Sequence, residues 1–274
     1  MNKRVRFILT ITFILILSFS FAFAGAEWTL KTVTTSTKKH GPNTTVIAKV
    51  YTDGVNIREE FVRIEGSNSK NNPYEGSGIY WIYRGKENVV YVVNPEEKSY
   101  MVIPIDSMLQ LTRAIGKIVK FEIEDYNIKK TTLAPETVNG FKCNHLKLFI
   151  TYKMKMKIAF IKKTVNYEEE KEIWASKDFK YFNNYENSFL DKEFKTGFDE
   201  LDEAIKEELG TYKSLGFPIK TVSITIERDK KGKIKGKTIT TSEVLDVKPR
   251  NFNKSFFEIP KDFNKNTSQN RAPF

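Results

Sequence analysis

The sequence predicts a mainly β protein (α+β) in which one antiparallel sheet of about 10–11 strands curves strongly into an incomplete β-barrel, with two or more helices across its concave face. Three observations predict this fold. Segments in which apolar and polar residues alternate, the period of a strand, recur along most of the 274 residues. Turn signals built from Gly, Asn, Asp and Pro separate these segments. Only two stretches have apolar residues at helical spacing.

The N-terminal segment has the features of a secretory signal peptide. Three cations within the first six residues precede an uncharged run over residues 7–26, which ends in small residues. A basic start, an apolar centre and an A-x-A exit are typical of cleaved export signals, so we expect cleavage after Ala24 or Ala26. An uncleaved membrane anchor is the alternative, although residues 7–24 are near the lower length limit for spanning a bilayer.

Six strands are predicted in the first part of the chain. Asp53-Gly54 between two alternating runs is a two-residue hairpin signal, and Asn94-Pro95 and Pro104 end two shorter runs. Runs that each end at a turn signal are typical of an antiparallel meander. The predicted strands are Thr29–Thr37, Thr44–Thr52, Val55–Glu65, Ile79–Tyr83, Asn88–Val93 and Lys98–Ile103.

A first amphipathic helix is predicted after these strands. Asp106 is of a residue type that favours the N-cap. Met108, Leu111 and Ile115 follow at helical spacing and form one apolar face. Such a face usually packs on the core and less often lines a ligand site.

A second amphipathic helix is predicted over residues 196–209. Phe198, Leu201 and Ile205 lie on its apolar face, and Gly210 follows as a candidate C-cap. The other face is acidic, and we interpret it as exposed to solvent rather than as a pair of catalytic carboxylates.

The remaining strands include one with a cationic face. Lys153, Lys155 and Lys157 alternate with apolar residues, and a glutamate-rich strand, Tyr167–Ala175, follows. The lysines either pair with these glutamates across neighbouring strands or contact anionic lipid headgroups. The other predicted strands are Lys120–Lys130, Phe141–Tyr152, Phe217–Arg228 and Lys233–Val247.

Few catalytic chemistries are available to this chain. Cys143 is its only cysteine, and His40 and His145 are its only histidines. The sequence has no nucleophile elbow, phosphate-binding loop or metal-ligand spacing. We therefore predict a non-enzyme that needs no cofactor and no metal. The net charge of +11 is typical of a protein that contacts anionic lipid or of one whose surface lysines keep it soluble. Nucleic acid is the less favoured partner, because an exported protein rarely meets it.

Two helices are too few to cover one whole apolar face of so long a sheet. Either a bound apolar ligand or the sheet's own side chains fill the concave side, and the sequence leaves both open. If a ligand fills it, we expect the wall to combine residues from the sheet and from both helices. These candidates are Trp81, Tyr83, Tyr91, Val93, Met108, Leu111, Ile115, Phe198, Leu201 and Ile205.

Short patterns in a fixed order carry a resemblance to a known family. They are Arg63-Ile64-Glu65, Val138-Asn139-Gly140-Phe141, Ile173-Trp174-Ala175-Ser176, Gly216-Phe217-Pro218-Ile219 and Phe257-Glu258-Ile259-Pro260. Together they resemble the LolA-like periplasmic superfamily (outer-membrane lipoprotein carrier-like proteins), in particular an uncharacterised branch of it. The resemblance implies a half-barrel with helices across its concave side that binds lipid or the acyl groups of lipoproteins. It assigns no functional residue, because the carrier's lid arginine has no matching position here.

These observations predict an exported, monomeric periplasmic carrier that holds a lipid or a lipoprotein acyl chain and contacts the membrane peripherally. The predicted organisation is a signal peptide at 1–24, one LolA-like domain at 25–263 and a disordered tail at 264–274. The alternative is an envelope sensor or protein-interaction domain of the same fold, which would use edge strands and the Gly66–Gly78 loop. A carboxylate-dependent hydrolase is the least favoured reading.

Overall fold

The computed structural model describes residues 25–39, 41–66, 78–107, 110, 119–158, 161–178 and 199–266. These residues form one sheet of twelve strands. In chain order the strands are β1 (Ala26–Ser36), β2 (Thr44–Thr52), β3 (Asn56–Gly66), β4 (Tyr80–Arg84), β5 (Val89–Asn94), β6 (Ser99–Pro104), β7 (Val119–Val138), β8 (Phe141–Ile158), β9 (Ile161–Ser176), β10 (Phe217–Arg228), β11 (Ile234–Pro249) and β12 (Asn264–Lys265). Helix α1 spans Asp199–Leu215, and a 3₁₀ helix spans Lys254–Phe257.

The strand order across the sheet is β12-β6-β5-β4-β3-β2-β1-β11-β10-β9-β8-β7. Every neighbouring pair is antiparallel except β12–β6, which is parallel. Sequential strands therefore lie side by side, except for β6 with β7 and β11 with β12. The strand β11 also pairs with β1 and so joins the two halves of the sheet. The predicted mainly β class and antiparallel order are confirmed.

The predicted strong curvature toward a barrel is not found. The sheet is open, with β12 and β7 as its two edges. Closing a barrel requires the two edge strands to pair along their length. Because β7 has 20 residues and β12 has 2, these edges cannot form such a seam.

The tip of the β7–β8 hairpin nevertheless bends back over the sheet. The Nδ2 of Asn139 donates a hydrogen bond of 3.0 Å to the carbonyl oxygen of Val244 on β11. In a flat sheet three strand spacings, about 14 Å, would separate these positions. A register shift between Leu133 and Glu136, at Pro135, lies where the strand must bend.

One large apolar cluster runs along both halves of the sheet, and we call it the aromatic cluster. Five buried aromatic side chains from four different strands anchor it. Its buried members are Ala26, Trp28, Val50, Ile57, Ile79, Trp81, Tyr83, Val90, Val92, Ile105, Cys143, Trp174, Phe217, Ile219 and Val244. This cluster is the main core of the protein.

The C-terminal segment covers the opposite face of β2–β5. Phe257 is 2 % exposed and packs in a cluster with Tyr51, Tyr80 and Ile82. The strand β12 follows, where Asn266 donates its backbone N–H to the carbonyl of Tyr100 at 2.8 Å. Ordered structure therefore extends past residue 263, where the tail was predicted to begin.

Helix α1 packs on β7–β9, and its boundaries differ from those predicted. It continues through Gly210 to Leu215, and Gly216 (φ +110°) follows its last residue. The glycine with the left-handed conformation that ends a helix is thus Gly216. The Nδ2 of Asn144 donates to the carbonyl of Leu215 at 3.1 Å and so satisfies one of the last carbonyls.

The acidic face of α1 is not simply solvated, as the sequence suggested. Glu207 lies 3.1 Å from the Nζ of Lys130 on β7. Glu208 pairs with Lys171 on β9, whose side chain is only 2 % exposed and also lies 3.3 Å from Glu169. These ion pairs attach the helix to the sheet.

Candidate functional site

The register of the hairpin meander decides which side chains reach the aromatic cluster. Directly opposed residues of an antiparallel pair lie on the same face of a sheet. Trp81 on β4 is opposite Val92 on β5, and Tyr83 is opposite Val90. All four belong to the aromatic cluster, so the structure brings Trp81 and Tyr83 together, while their role in a ligand cavity stays a prediction.

Tyr91 and Val93 lie on the other face, so the structure does not bring the four wall candidates of β4 and β5 together. Tyr91 is opposite Ile82, and Val93 is opposite Tyr80, and all of them pack in the cluster of Phe257. The predicted set combines odd-numbered residues of both strands. The turn between β4 and β5 sets a register in which odd positions oppose even ones, so Val90 and Val92 take these places.

Aromatic rings meet edge to face within the aromatic cluster. The ring centroids of Phe61 and Trp81 are 5.4 Å apart with planes at 81°. Those of Trp28 and Phe217 are 5.8 Å apart at 82°. This is a favourable arrangement for aromatic pairs. Phe61 is only half-buried, so the cluster is accessible to solvent at this ring.

Glu59 is the one carboxylic acid on the part of this face that the described residues of β2–β5 form. It is opposite Val50 on β2 and Trp81 on β4, and it is 8 % exposed. Burial raises the pKa of Glu59 from 4.5 to about 7. Within the described ranges no hydrogen bond or ion pair reaches its carboxyl oxygens.

The residues on either side of Glu59 in β3 lie on the opposite face of the sheet, where they have partners. Arg58 and Glu60 form an ion pair of 2.7 Å, and the Arg58 guanidinium lies 3.9 Å from the ring centroid of Tyr80. Glu59 is not among the site residues predicted from the sequence. A signal was present, since it lies between Ile57 and Phe61 at strand period on an otherwise apolar face.

A polar network borders the aromatic cluster at Trp174. His145 is 6 % exposed and stacks on this ring with centroids 4.3 Å apart. Its Nε2 lies 3.2 Å from Glu172, its Nδ1 lies 3.3 Å from Glu136, and the Trp174 Nε1 donates to Glu136 at 3.1 Å. The imidazole is therefore held between two carboxylates.

Cys143 does not complete a nucleophilic site with this histidine. Its Sγ donates to the carbonyl of Phe141 at 3.4 Å, and burial raises the pKa of the thiol, which favours the unreactive protonated form. No group of three or more potential metal ligands occurs in the described part of the chain.

The helical candidates for the cavity wall are not tested. Leu201 and Ile205 lie within α1, but their side chains are outside the described residues. The structure shows helical backbone at residues 105–107, so the first predicted helix begins near Asp106 as expected. The other candidates, Met108, Leu111, Ile115 and Phe198, lie outside the described residues.

The three lysines proposed for anionic headgroups have different environments. Lys153 pairs with Asp125 at 2.7 Å, and Lys155 pairs with Glu124, so both are matched by acids of β7. The glutamates of β9 lie further along, opposite residues 147–151 of β8. Lys157 is exposed and lies opposite Lys162 of β9, and two like charges in that position repel each other.

Comparison with known proteins shows the family of this chain. The family model described as "Domain of unknown function (DUF4412)" matches residues 43–263, well over half of the sequence. The chain belongs to the DUF4412 family. The match includes β2 to β11, and therefore Glu59 and the aromatic cluster apart from its members on β1. The comparison with curated proteins found no match.

Solved structures of low sequence identity are similar to this DUF4412 protein. One is an uncharacterized conserved protein from Thermus thermophilus, with 13% identity and a TM-score of 0.31, covering 96% of this chain and 98% of that one. Another is a LolA superfamily protein from Nitrosomonas europaea, with 11% identity and a TM-score of 0.30, covering 88% and 93%. The second of these structures carries the superfamily name that the sequence patterns suggested. At these TM-scores the similarity carries no information about ligand or mechanism, which must come from this chain's own residues.

Proposed function

We propose that this DUF4412 protein is an exported periplasmic carrier or binding protein that holds an apolar ligand, a lipid or a lipoprotein acyl chain, against the sheet face that the aromatic cluster occupies. The observation that supports this proposal most directly is the composition of that face. Trp28, Phe61, Trp81 and Phe217 bring four rings into one apolar cluster. Half-buried apolar residues, Phe61 among them, lie at its margin, where a ligand can add contacts.

A pair of neighbouring substitutions tests the proposal. Phe61→Ala removes a half-buried ring from the cluster, whereas Val62→Ala changes a side chain that is 59% exposed. We expect Phe61→Ala to weaken binding of a fluorescent fatty-acid probe about tenfold, the effect of losing one to two kcal/mol of apolar contact. Val62→Ala should bind like the parent protein.

Native mass spectrometry of gently purified protein supplies an independent test. Lipid that co-purifies with the parent protein and is depleted in Phe61→Ala would support the proposal. Repeated absence of lipid, together with no probe binding by the parent protein, would overturn it.

The export setting rests on the N-terminal pattern of residues 1–24, which lie outside the described residues. Among the helices that the structure describes, none combines the length and apolarity needed to cross a membrane. Detection of the protein in a periplasmic fraction, with a new N-terminus at residue 25 or 27, is the expected outcome. Recovery of the intact chain from the cytosol would contradict it.

We further propose that contact with an anionic lipid surface centres on Lys157 and Lys162 rather than on the three alternating lysines. Within the described residues, Lys157, Lys162 and Lys163 have no ion-pair partner, and all three are exposed. Lys162 and Lys163 also line a cleft of about 290 Å³ with Lys230, with Arg228, which pairs with Glu168, and with the acids Glu227 and Asp229. The three unpaired lysines attract anionic headgroups, by about 1 kcal/mol per residue near the surface.

Charge reversal separates this role from a structural one. Lys162→Glu replaces a repulsive pair with an attractive one, so it should stabilise the fold by a few tenths of a kcal/mol. The double variant Lys157→Glu/Lys162→Glu should lose sedimentation with vesicles rich in phosphatidylglycerol. Lys86→Glu/Lys142→Glu, the same change of charge at two other exposed positions, is the control and should retain it. Equal binding by both double variants would refute the assignment.

The alternative function, a sensor or protein-interaction domain, would use an exposed strand edge. The long edge strand β7 carries register shifts at 124/127 and 133/136 and contains Pro135. Bulges and proline discourage another strand from pairing with an edge. This edge therefore favours the carrier proposal over recognition by strand addition. The Gly66–Gly78 loop lies almost entirely outside the described residues.

A further inference from the structure

We propose that the ligand of the aromatic cluster carries a cationic amine that pairs with the Glu59 carboxylate. This inference rests on the proposed function, since it names the chemistry of a molecule bound at that same site. It is carried by the position of Glu59, whose described neighbours on β2 and β4 are apolar.

The position of the Glu59 carboxyl group costs the folded protein free energy. A buried polar group without a partner costs about 1–3 kcal/mol, and a charged one costs more. Val50, Trp81, Ile57 and Phe61 surround its position in the register, and none of them supplies a charge. An isosteric apolar residue would relieve the cost, so a stabilising role in the empty protein does not account for this side chain.

The neighbouring rings favour a cation over other partners. Phe61 and Trp81 lie on the same face as Glu59, with their centroids 5.4 Å apart. The negative face of an aromatic ring attracts ammonium groups, and a carboxylate beside such rings adds a charge-assisted hydrogen bond. A fatty acid or phosphate headgroup placed here would instead meet a like charge.

The titratable groups that face Glu59 do not supply a second negative charge for the amine. Of the residues that face it from β2 and β4, Tyr83 is the one titratable side chain, and burial raises its pKa above 10. Cys143, elsewhere in the cluster, also has a pKa raised by burial. Both remain neutral across the range in which Glu59 titrates, so Glu59 supplies the only negative charge among the described residues that β2, β3 and β4 place in this cluster.

The test compares three ligands of one chain length: dodecylamine, dodecanol and dodecanoate, measured by displacement of a fluorescent probe from the purified protein. At pH 8 we expect the amine to bind at least tenfold more tightly than the alcohol, the effect of one charge-assisted hydrogen bond. At pH 5.5, where Glu59 is protonated, the preference should largely disappear.

Glu59→Gln should abolish the preference for the amine while retaining binding of the alcohol. Glu60→Gln, a neighbouring acid on the opposite face, is the matched control and should keep the preference. Equal binding of amine and alcohol by the parent protein, or a preference that survives in Glu59→Gln, would overturn the amine inference and leave the carrier proposal standing. Failure of all three ligands to bind would overturn both.

Discussion

Replacing Glu59 with glutamine should remove a pH dependence of stability that the fold creates. In the unfolded chain this carboxyl has its ordinary pKa of 4.5, whereas in the folded protein burial raises the pKa to about 7. Between these values the unfolded chain has released the proton and the folded protein retains it. The free energy of unfolding therefore falls as the pH rises through this window and is lowest above pH 7.

The size of the effect follows from the same two pKa values. Each pKa unit corresponds to 1.36 kcal/mol, so the full difference is about 3 kcal/mol. The exposure of Glu59 is only 8 %, so solvent screens little of it. For a domain of this size we expect the Tm of the parent protein to fall by roughly 6–12 °C between pH 5 and pH 8, relative to Glu59→Gln.

Urea denaturation at pH 5, 6, 7 and 8 measures this difference. The Glu59→Gln profile should be flatter than that of the parent protein by about 3 kcal/mol across the series, because other titrating groups contribute equally to both. Glu60→Gln, whose side chain pairs with Arg58 on the opposite face, should keep the parent slope. Parallel profiles for the parent protein and Glu59→Gln would refute the claim that this acid is buried without compensation.

Three further predictions concern stability. Lys171→Met leaves Glu169 and Glu208 without their buried partner and should cost about 3–5 kcal/mol in urea denaturation, while a change under 1 kcal/mol would mean that α1 docks without this pair. Phe257→Ala, at 2 % exposure, should cost about 3–5 kcal/mol, and a near-normal Tm would show that the C-terminal segment is dispensable. Gly216→Ala places a Cβ 2.6 Å from a backbone oxygen at φ +110°, so it should lower the Tm, and an unchanged Tm would contradict that strain.

Turn chemistry explains why the hairpins were predictable. Asn139 and Gly140 both have positive φ, 49° and 82°, which is the conformation that an Asn-Gly hairpin turn requires. The predicted hairpin is present, with β7 and β8 on either side. Local residue type fixes such turns, so one sequence suffices to find them.

Strand register and strand length were less predictable. Tyr91 was assigned to the face of Trp81, but the β4–β5 turn sets a register that places it on the other side. Residues 141–158 form one strand, where the sequence suggested a break after Tyr152. Pairing with long neighbours on both sides extends a strand beyond what its own pattern indicates.

Charged residues were the least predictable because their partners are distant in sequence. The acids of α1 suggested a solvated face, yet Glu208 pairs with Lys171, which is 37 positions away. Glu59 was overlooked because a single acid in a strand usually faces water. Only the pairing of β3 with β2 and β4 shows that its face is apolar.

Substitutions on the two faces of β2–β5 should have opposite effects on ligand affinity and on the stability of the fold. One face is closed by the C-terminal segment through Phe257, which is 2 % exposed, while the other presents the half-buried Phe61. Phe257→Ala should therefore destabilise the fold and leave the probe affinity of the folded fraction unchanged. Phe61→Ala should do the reverse, with a larger loss of affinity than of stability. Probe titration below the melting transition separates the two quantities, and affinity losses that simply follow Tm in both variants would show that the aromatic cluster is a packed core and not a binding surface.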